Sequence, residues 1–322
     1  MHELLERAGR RGHHSLAAAV ISGDTTEFGA WSATGARPDE HTLFEIGSIT
    51  KAFTGVLLAD MQLRGEVALD DPLSRHLGGH GPSWRQREPT LLELATHRSG
   101  LPNTPRPLAR RELLFGLGIG ESDPWSDVDA EEYAELLRAT SPRRAPGGRL
   151  RYSSIGFGLL GDALAGAAGK PYAELLRERV LAPLGMDATT LTPGPPAIQG
   201  HSRRGRPRPP LEDLMPAAGS IRSSVAEMAA FLSACLSPGA DAPGPALQLA
   251  QQPAHRVNRR MSIGLGWLIL TGRDNGTTIF HNGGTWGFRS FAGFSPERDR
   301  AVVVLSNTSR GVDRLGRRLL DR

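Results

Sequence analysis

The chain has 322 residues, of which 39% are hydrophobic and 22% are charged, so it can bury a sizeable core as one large domain or two lobes. Its formal net charge is +4, and the scattered arginines that cause it disfavour a nucleic-acid-binding protein. A single cysteine, Cys235, excludes an intrachain disulfide and a thiolate metal cluster.

The N-terminal part is predicted to begin with a short amphipathic helix over residues 2–11. It lacks the long apolar segment of a signal peptide, and no segment has the length of a membrane span, so we expect a cytoplasmic protein without membrane contact. Residues 15–22 and 27–34 are predicted to be strands of one hairpin. The apolar run after Ser48 predicts a buried helix that ends near residue 64.

Residues 66–215 are predicted to be mainly helical, with helices over residues 90–96, 130–140, 153–168 and 171–180. A proline-rich connector follows at residues 193–210 and contains four arginines, Arg203, Arg204, Arg206 and Arg208. No aromatic residues are interleaved with them, so we interpret this patch as a solvated loop and not as a nucleic-acid site.

The C-terminal part is predicted to contain a serine-capped helix, four strands and a closing helix, over residues 223–236, 263–271, 277–281, 290–295, 301–307 and 310–321. Strands at both ends and helices between them predict an α/β fold, in which one antiparallel sheet built from both termini is flanked by helices. We therefore expect an α/β lobe of residues 1–65 and 216–322, and an inserted, mainly helical lobe of residues 66–215.

Ser48 and Lys51 form a Ser-x-x-Lys motif at the start of the first buried helix. Residues three apart on a helix share a face, so the amine lies within reach of the hydroxyl. A neutral lysine amine can activate a serine nucleophile, and helix N–H groups can stabilise an oxyanion. Lys51 is one of only two lysines among 38 basic residues, and only lysine can lose its proton. The alternative is a chance lysine on a core helix.

Two further segments contain residues that can complete such a site. Tyr152 follows a Pro-Gly turn, where its hydroxyl can share the base role with Lys51 and protonate a leaving group. The alternative for Tyr152 is a buried tyrosine with one hydrogen bond. His281 opens a glycine-rich segment whose backbone can approach a ligand and supply one oxyanion N–H. The alternative for His281 is a hairpin turn with a surface histidine.

Six segments, in this order, resemble the serine β-lactamase and penicillin-binding-protein superfamily, and in particular its class C-like branch of esterases, D-amino-acid peptidases and transacylases. They are the nucleophile segment 44–55 and residues 91–102 (similar to LLTHTSGLP), 146–161 (PG…YSNxGYxLLG), 217–231 (aGGlxSTaxDmarF), 263–267 (YGLGW) and 281–284 (HxGG). Together they cover most of residues 15–310, and they imply the β-lactamase/transpeptidase-like fold.

The resemblance also implies a role for each matching residue. Ser48 would be the acylated nucleophile, and Lys51 and Tyr152 would be the general bases. The N–H groups of Ser48 and Gly284 would form the oxyanion hole, and neither a metal nor an organic cofactor is implied. The candidate substrate-binding residues are Ser154, His281, Gly283, Trp286 and Arg289.

Two positions depart from the family pattern. Ser154 occupies the usual place of an asparagine whose amide holds the substrate's acyl-side carbonyl, and a serine offers one shorter donor. His281 replaces the lysine of the β-lactamase KTG motif, which binds a substrate carboxylate. An unperturbed histidine has a pKa of about 6.5 and is mostly neutral at pH 7. Esterase-like members of the family often have histidine here.

These features favour a serine hydrolase or acyltransferase that cleaves an ester or amide of a small substrate and passes the acyl group to water or to an amine acceptor. A transacylase of antibiotic biosynthesis is one form of this hypothesis, because the preference for arginine over lysine resembles high-GC actinobacterial coding. The second hypothesis is a β-lactamase or D-Ala-D-Ala carboxypeptidase acting on a lactam or peptide. The third is a binding protein without catalytic activity, which the set of Ser48, Lys51 and Tyr152 disfavours.

Overall fold

The computed structural model describes residues 1–78, 81–84, 87–117, 119, 123–142, 144–192, 198–211, 214–272 and 276–322. The strands in this part of the chain are β1 (Ser15–Ser22), β2 (Thr25–Ser32), β3 (Phe44–Glu45), β4 (Arg222–Ser223), β5 (His255–Arg256), β6 (Met261–Ile263), β7 (Leu268–Thr271), β8 (Thr277–Gly284), β9 (Arg289–Ser295) and β10 (Arg300–Ser306). The helices are α1 (His2–Gly9), α2 (Thr50–Leu63), α3 (Ser74–Leu77), α4 (Leu91–Ala95), α5 (Arg106–Gly116), α6 (Ala130–Ala139), α7 (Ser154–Ala168), α8 (Tyr172–Leu176), α9 (Pro216–Gly219), α10 (Val225–Leu236), α11 (Gly244–Ala250) and α12 (Asp313–Leu320).

Eight strands form one antiparallel sheet in the order β2-β1-β10-β9-β8-β7-β6-β5. β1 pairs with β10 from Leu16 opposite Ser306 to Ser22 opposite Arg300, so the N-terminal hairpin continues the C-terminal strands. This arrangement confirms the predicted fold class. The remaining pair, β3 and β4, is a separate two-stranded ladder next to the nucleophile segment. The division into two lobes stays a prediction.

Both faces of the sheet are covered by helices. Side chains along β1 alternate between the two faces of the sheet, and those of Ala17, Ala19 and Ile21 lie in the larger core, which contains residues of α2, α7 and α10. Its other face contributes to a smaller core beneath α1 and α12. Strands buried on both faces explain why β1 and β10 are apolar at nearly every position.

Four of the described helices begin with a polar side chain that accepts a hydrogen bond from a backbone N–H three residues later, which satisfies one free donor of the first turn. These capping residues are Thr90 of α4, Asp129 of α6, Ser153 of α7 and Ser224 of α10. The cap at Ser153 fixes the start of α7 directly after Tyr152.

Some elements differ from the sequence-based expectation. The predicted strand over residues 263–271 is two strands, because the chain turns between β6 and β7. There Gly266 has φ +75°, and a Cβ on it would lie 2.2 Å from the carbonyl oxygen of Lys51. The predicted helix over residues 171–180 continues past α8 as a π-helical turn, Arg177–Leu181. The sequence pattern did not predict α5 and α11. The first five residues of the connector at 193–210 lie outside the described residues.

Candidate active site

Ser48 lies in a short 3-10 turn, Gly47–Ile49, that leads directly into α2. The sequence predicts it in the first turn of the α-helix, so the structure places it slightly earlier. Gly47 has φ +54°, a left-handed conformation that glycine adopts without a steric penalty. A Cβ on Gly47 would lie 2.6 Å from the backbone nitrogen of Gly284, so the turn packs tightly against β8.

Lys51 is fully buried one turn after Ser48, on a helix whose first twelve residues are all buried. Its Nζ donates to Ser48 Oγ (3.2 Å), Ser154 Oγ (3.4 Å) and the carbonyl oxygen of Ala218 (2.7 Å). These contacts aim the amine at the hydroxyl. The arrangement is the serine–amine pair that the motif predicts, and it joins Ser154 to the same cluster.

Tyr152 stands beside this pair. Its ring centroid lies 5.0 Å from Lys51 Nζ, and 38% of the residue is exposed. The alternative of a buried tyrosine is therefore wrong. The ring also stacks at a tilt against buried His97, with centroids 4.4 Å apart. A tyrosine that is held on one side and open on the other can present its hydroxyl to a ligand.

His97 supports Tyr152 through the backbone as well as through its ring. Its carbonyl oxygen accepts a hydrogen bond from Arg151 N (2.7 Å), and its Nδ1 accepts one from Ser153 N (3.3 Å). His97 has φ +55°, which is uncommon for a residue with a Cβ. Burial lowers the pKa of His97 well below its ordinary value, and Lys51 and His281 act in the same direction. His97 lies in the segment 91–102 that resembles the family, and the sequence alone gives no sign of this supporting role.

His281 is 2% exposed, so it is not the surface histidine of the alternative interpretation. It lies on β8 with its ring centroid 6.5 Å from that of Tyr152. Its Nδ1 donates to the carbonyl oxygen of Asn282 (2.6 Å). Burial, and then the charge of Lys51, lower the pKa of His281 to about 3. The ring is therefore neutral near pH 7 and supplies no positive charge for a substrate carboxylate.

Gly283 and Gly284 bring β8 against the nucleophile turn. A Cβ on Gly283 would lie 1.9 Å from the carbonyl oxygen of Ile46, so only glycine permits this approach. Ser290 Oγ on β9 donates to the same carbonyl oxygen (2.7 Å) and fixes the contact. The backbone of Gly284 thus lies next to that of Ser48, where two N–H groups can face one oxyanion.

Trp286 and Arg289 lie at the turn between β8 and β9. Trp286 Nε1 donates to Asp123 Oδ2 (2.8 Å), and its ring meets Phe115 of α5 edge to face. Arg289 Nη1 donates to the carbonyl oxygens of Thr285 and Phe288, each at 2.7 Å. Both side chains are half-buried and line the same cleft as Ser48.

This cleft has a volume of about 970 Å³. Ser48, Tyr152, Ser154, Gly283, Gly284, Trp286 and Arg289 line it, together with Arg203, Arg204, Arg206 and Arg208. His281 and Lys51 lie behind this lining. The sequence predicts a solvated loop for the four arginines and gives no sign of this position, because the connector is held by contacts with residues 86 to 108 positions later, such as Gly287 and Asn307.

Polar contacts on the α5 side of the cleft were also missed. Glu112 accepts hydrogen bonds from Trp125 Nε1 (3.0 Å) and from Thr104 Oγ1 (3.0 Å), and Asn103 Oδ1 accepts one from Ser154 N (3.0 Å). In the described ranges, no group of three His, Cys, Asp or Glu side chains is placed to hold a metal ion. No described helix has the length and hydropathy needed to cross a bilayer.

Comparison with known proteins places this site in a family. The family model described as Beta-lactamase matches residues 2–322. The D-alanyl-D-alanine-carboxypeptidase/endopeptidase AmpH of Escherichia coli (strain K12) is 28% identical over 319 residues, which cover 92% of this chain and 80% of AmpH. A β-lactamase of the same strain is 26% identical over 310 residues, which cover 83% of this chain and 76% of the relative.

Solved structures show the same fold. A D-stereospecific amidohydrolase from Streptomyces sp. superposes with a TM-score of 0.78 at 23% identity, covering 95% of this chain and 93% of that structure. The octameric penicillin-binding protein homologue from Pyrococcus abyssi superposes with a TM-score of 0.80 at 23% identity. The match covers 95% of this chain and 72% of that structure. Since the family model spans nearly the whole sequence, the chain belongs to the β-lactamase family and is a serine hydrolase.

Proposed function

We propose that this hydrolase cleaves an ester or amide of a small substrate through a covalent acyl-enzyme on Ser48. The observation that carries the proposal is the buried amine of Lys51, 3.2 Å from Ser48 Oγ and fixed by the carbonyl oxygen of Ala218. A serine needs such a neighbouring base to attack a carbonyl carbon. Tyr152, beside the same amine and open to the cleft, shares this role.

The reaction then has two halves. Ser48 Oγ attacks the carbonyl carbon and gives its proton to the Lys51–Tyr152 pair, while the N–H groups of Ser48 and Gly284 stabilise the oxyanion. The pair returns the proton to the leaving alcohol or amine, and the acyl group stays on Ser48. In the second half, water or an amine acceptor attacks the acyl-enzyme. The same proton transfers then release the acyl group from Ser48.

The test uses p-nitrophenyl acetate, with wild type and Ser48→Ala compared by intact-protein mass and by p-nitrophenol release. We expect wild type to gain an acetyl group or to turn over rapidly, and Ser48→Ala to lose about 10³-fold or more of the release. An adduct that added amines discharge faster than water would identify acyl transfer to an amine. Release that does not depend on Ser48 would contradict the proposal.

A second candidate function is a D-Ala-D-Ala carboxypeptidase or β-lactamase. The similarity to AmpH over 92% of the chain favours it. The neutral ring of His281 weakens it, because the carboxylate of such substrates would meet no charge at that position. Nitrocefin and a peptide ending in D-Ala-D-Ala test it directly. Hydrolysis of either compound at a rate above that of the p-nitrophenyl ester would favour this second function.

A further inference from the structure

Four arginines form one wall of the cleft that contains Ser48. Arg203, Arg204 and Arg206 come from the connector before α9, and Arg289 comes from the start of β9. We call this set the arginine wall. The three connector side chains are exposed, and Arg289 is half-buried. The fifth cleft arginine, Arg208, is not included, since its guanidinium lies 4.1 Å from the Phe115 ring centroid and bonds the Phe115 carbonyl oxygen.

The connector that carries the wall is fixed to the sheet. The backbone N–H of His201 bonds the carbonyl oxygens of Gly287 and Asn307, and Asn307 Nδ2 donates to the carbonyl oxygen of Gln199 (2.9 Å). Within the connector, Ser202 N bonds the carbonyl oxygen of Arg206 (2.8 Å) and closes a tight loop. The guanidinium groups are therefore presented on an anchored backbone beside the cleft.

Arg289 brings positive charge next to the oxyanion site. Its hydrogen bonds to the carbonyl oxygens of Thr285 and Phe288 hold the guanidinium over the backbone of Gly284. A Cβ placed on Gly284 would lie 2.8 Å from Arg289 Nη1. A side chain at position 284 would displace the guanidinium from this place. An anionic substrate group bound here would lie near the reacting carbonyl.

Positive charge exceeds negative charge along the described lining of the cleft, where two acidic residues, Glu112 and Asp313, accompany the four arginines of the wall. None of its four arginines forms an ion pair with a described Asp or Glu. Of the acidic residues that line the cleft, Glu112 bonds Trp125 and Thr104, and Asp313 bonds Asn282 (2.7 Å). Burial, and then the charge of Arg203, lower the pKa of Arg289, while the charge of Asp313 raises it.

We propose that the arginine wall binds an anionic group of the substrate, a carboxylate or a phosphate, and so makes this enzyme selective for acidic esters or amides. This inference rests on the proposed function for its substrate, but binding of an anion to the wall does not require acylation of Ser48. The arginine wall supplies the positive charge that neutral His281 does not provide. Arginine forks suit carboxylate and phosphate oxygens.

The kinetic test compares mono-p-nitrophenyl glutarate with p-nitrophenyl pentanoate, which has the same chain length without the carboxylate. We expect kcat/KM to be roughly tenfold higher for the acidic ester at low salt, and this preference to fall with ionic strength. The Arg203→Gln/Arg206→Gln double variant should lose most of this preference, measured as the ratio of kcat/KM for the two esters. The Arg11→Gln/Arg318→Gln variant, which removes two exposed arginines outside the cleft, should keep the preference.

The binding test uses Ser48→Ala, so that its outcome is independent of turnover. Glutarate and inorganic phosphate, each against sodium chloride at equal ionic strength, should raise the thermal midpoint of Ser48→Ala. The rise should disappear when Arg203 and Arg206 are also changed to Gln. A rise with glutarate alone identifies a carboxylate, and a rise with phosphate alone or with both identifies a phosphate-compatible site. No rise with either anion, or a rise that the arginine substitutions leave unchanged, would overturn the proposal even if Ser48 is acylated normally.

Discussion

Lys51 shows how a single residue choice can indicate chemistry before a structure is known. A chain that uses arginine for nearly all its positive charge has a lysine three residues after Ser48, and that lysine is completely buried. The other lysine, Lys170, is exposed and pairs with Glu178 at 2.5 Å. The two lysines therefore provide a matched pair for testing what a deprotonatable amine contributes.

We expect Lys51→Arg to lower kcat by about 10²–10⁴-fold, because a guanidinium cannot accept the Ser48 proton and does not fit the space around Nζ. Lys170→Arg keeps its ion pair and should keep full activity. The measurement is Ser48-dependent p-nitrophenol release, with far-UV circular dichroism to show that both variants are folded. A folded Lys51→Arg enzyme with near wild-type kcat would show that this amine is not the base.

At the scale of secondary-structure elements, the site depends on the contact between the nucleophile turn and β8. Gly47 and Gly283 allow two backbones to meet, so that the turn carrying Ser48 packs against Gly284. Neither glycine has a part in the proposed chemistry. Their role is to let the two elements that carry the proposed oxyanion donors approach closely.

Gly47→Ala should therefore lower kcat by about 10²-fold or more, since its Cβ would push Gly284 N away and remove one oxyanion donor. Gly169→Ala is the matched control, because Gly169 has φ +63° at the end of α7 but open space around a Cβ. Both substitutions cost about 1–2 kcal/mol of backbone strain. If the two variants lose activity equally, the contact with β8 has no special effect on catalysis.

The elements that the sequence predicted well are those with a strong local signal. The helix after Ser48 and the helix capped by Ser153 have long apolar runs, and β1 and β10 are nearly continuous apolar segments. Ser48, Lys51 and Tyr152, which the resemblance groups as catalytic residues, lie close together in the structure, and their catalytic roles stay predictions. What could not be predicted depends on long-range contacts: the support of Tyr152 by His97, the turn at Gly266, and the arginines that the connector places along the cleft.

At the scale of the whole molecule, two layers of helices around one sheet bury several titratable groups that form no ion pair with a described residue. His281 and His97 lie beside the candidate site, and His13 lies just before β1, where its Nδ1 is 2.8 Å from Ser306 Oγ at the end of β10. Burial, and then the charge of Arg310, lower the pKa of His13 to about 4. These rings must stay neutral in the folded protein, which ties global stability to pH.

We expect the free energy of unfolding to decrease as the pH falls from 6.5 toward 4. The unfolded chain binds protons on its histidines near pH 6.5, whereas folded His13 binds one only near pH 4, so acid favours the unfolded state in this interval. His13 alone should contribute a loss of about 2 kcal/mol between pH 7 and pH 5. Urea unfolding at these two pH values measures the total loss.

The His13→Gln variant isolates this contribution, because it keeps a polar contact for Ser306 and removes the titrating ring. It should be less stable than wild type at pH 7 but should lose about 2 kcal/mol less on acidification to pH 5. His2, which is exposed, provides the control, and His2→Gln should show the wild-type pH dependence. An equal acid loss in wild type and His13→Gln would mean that His13 is protonated in the folded state at pH 5, and that the acid sensitivity comes from other titratable groups.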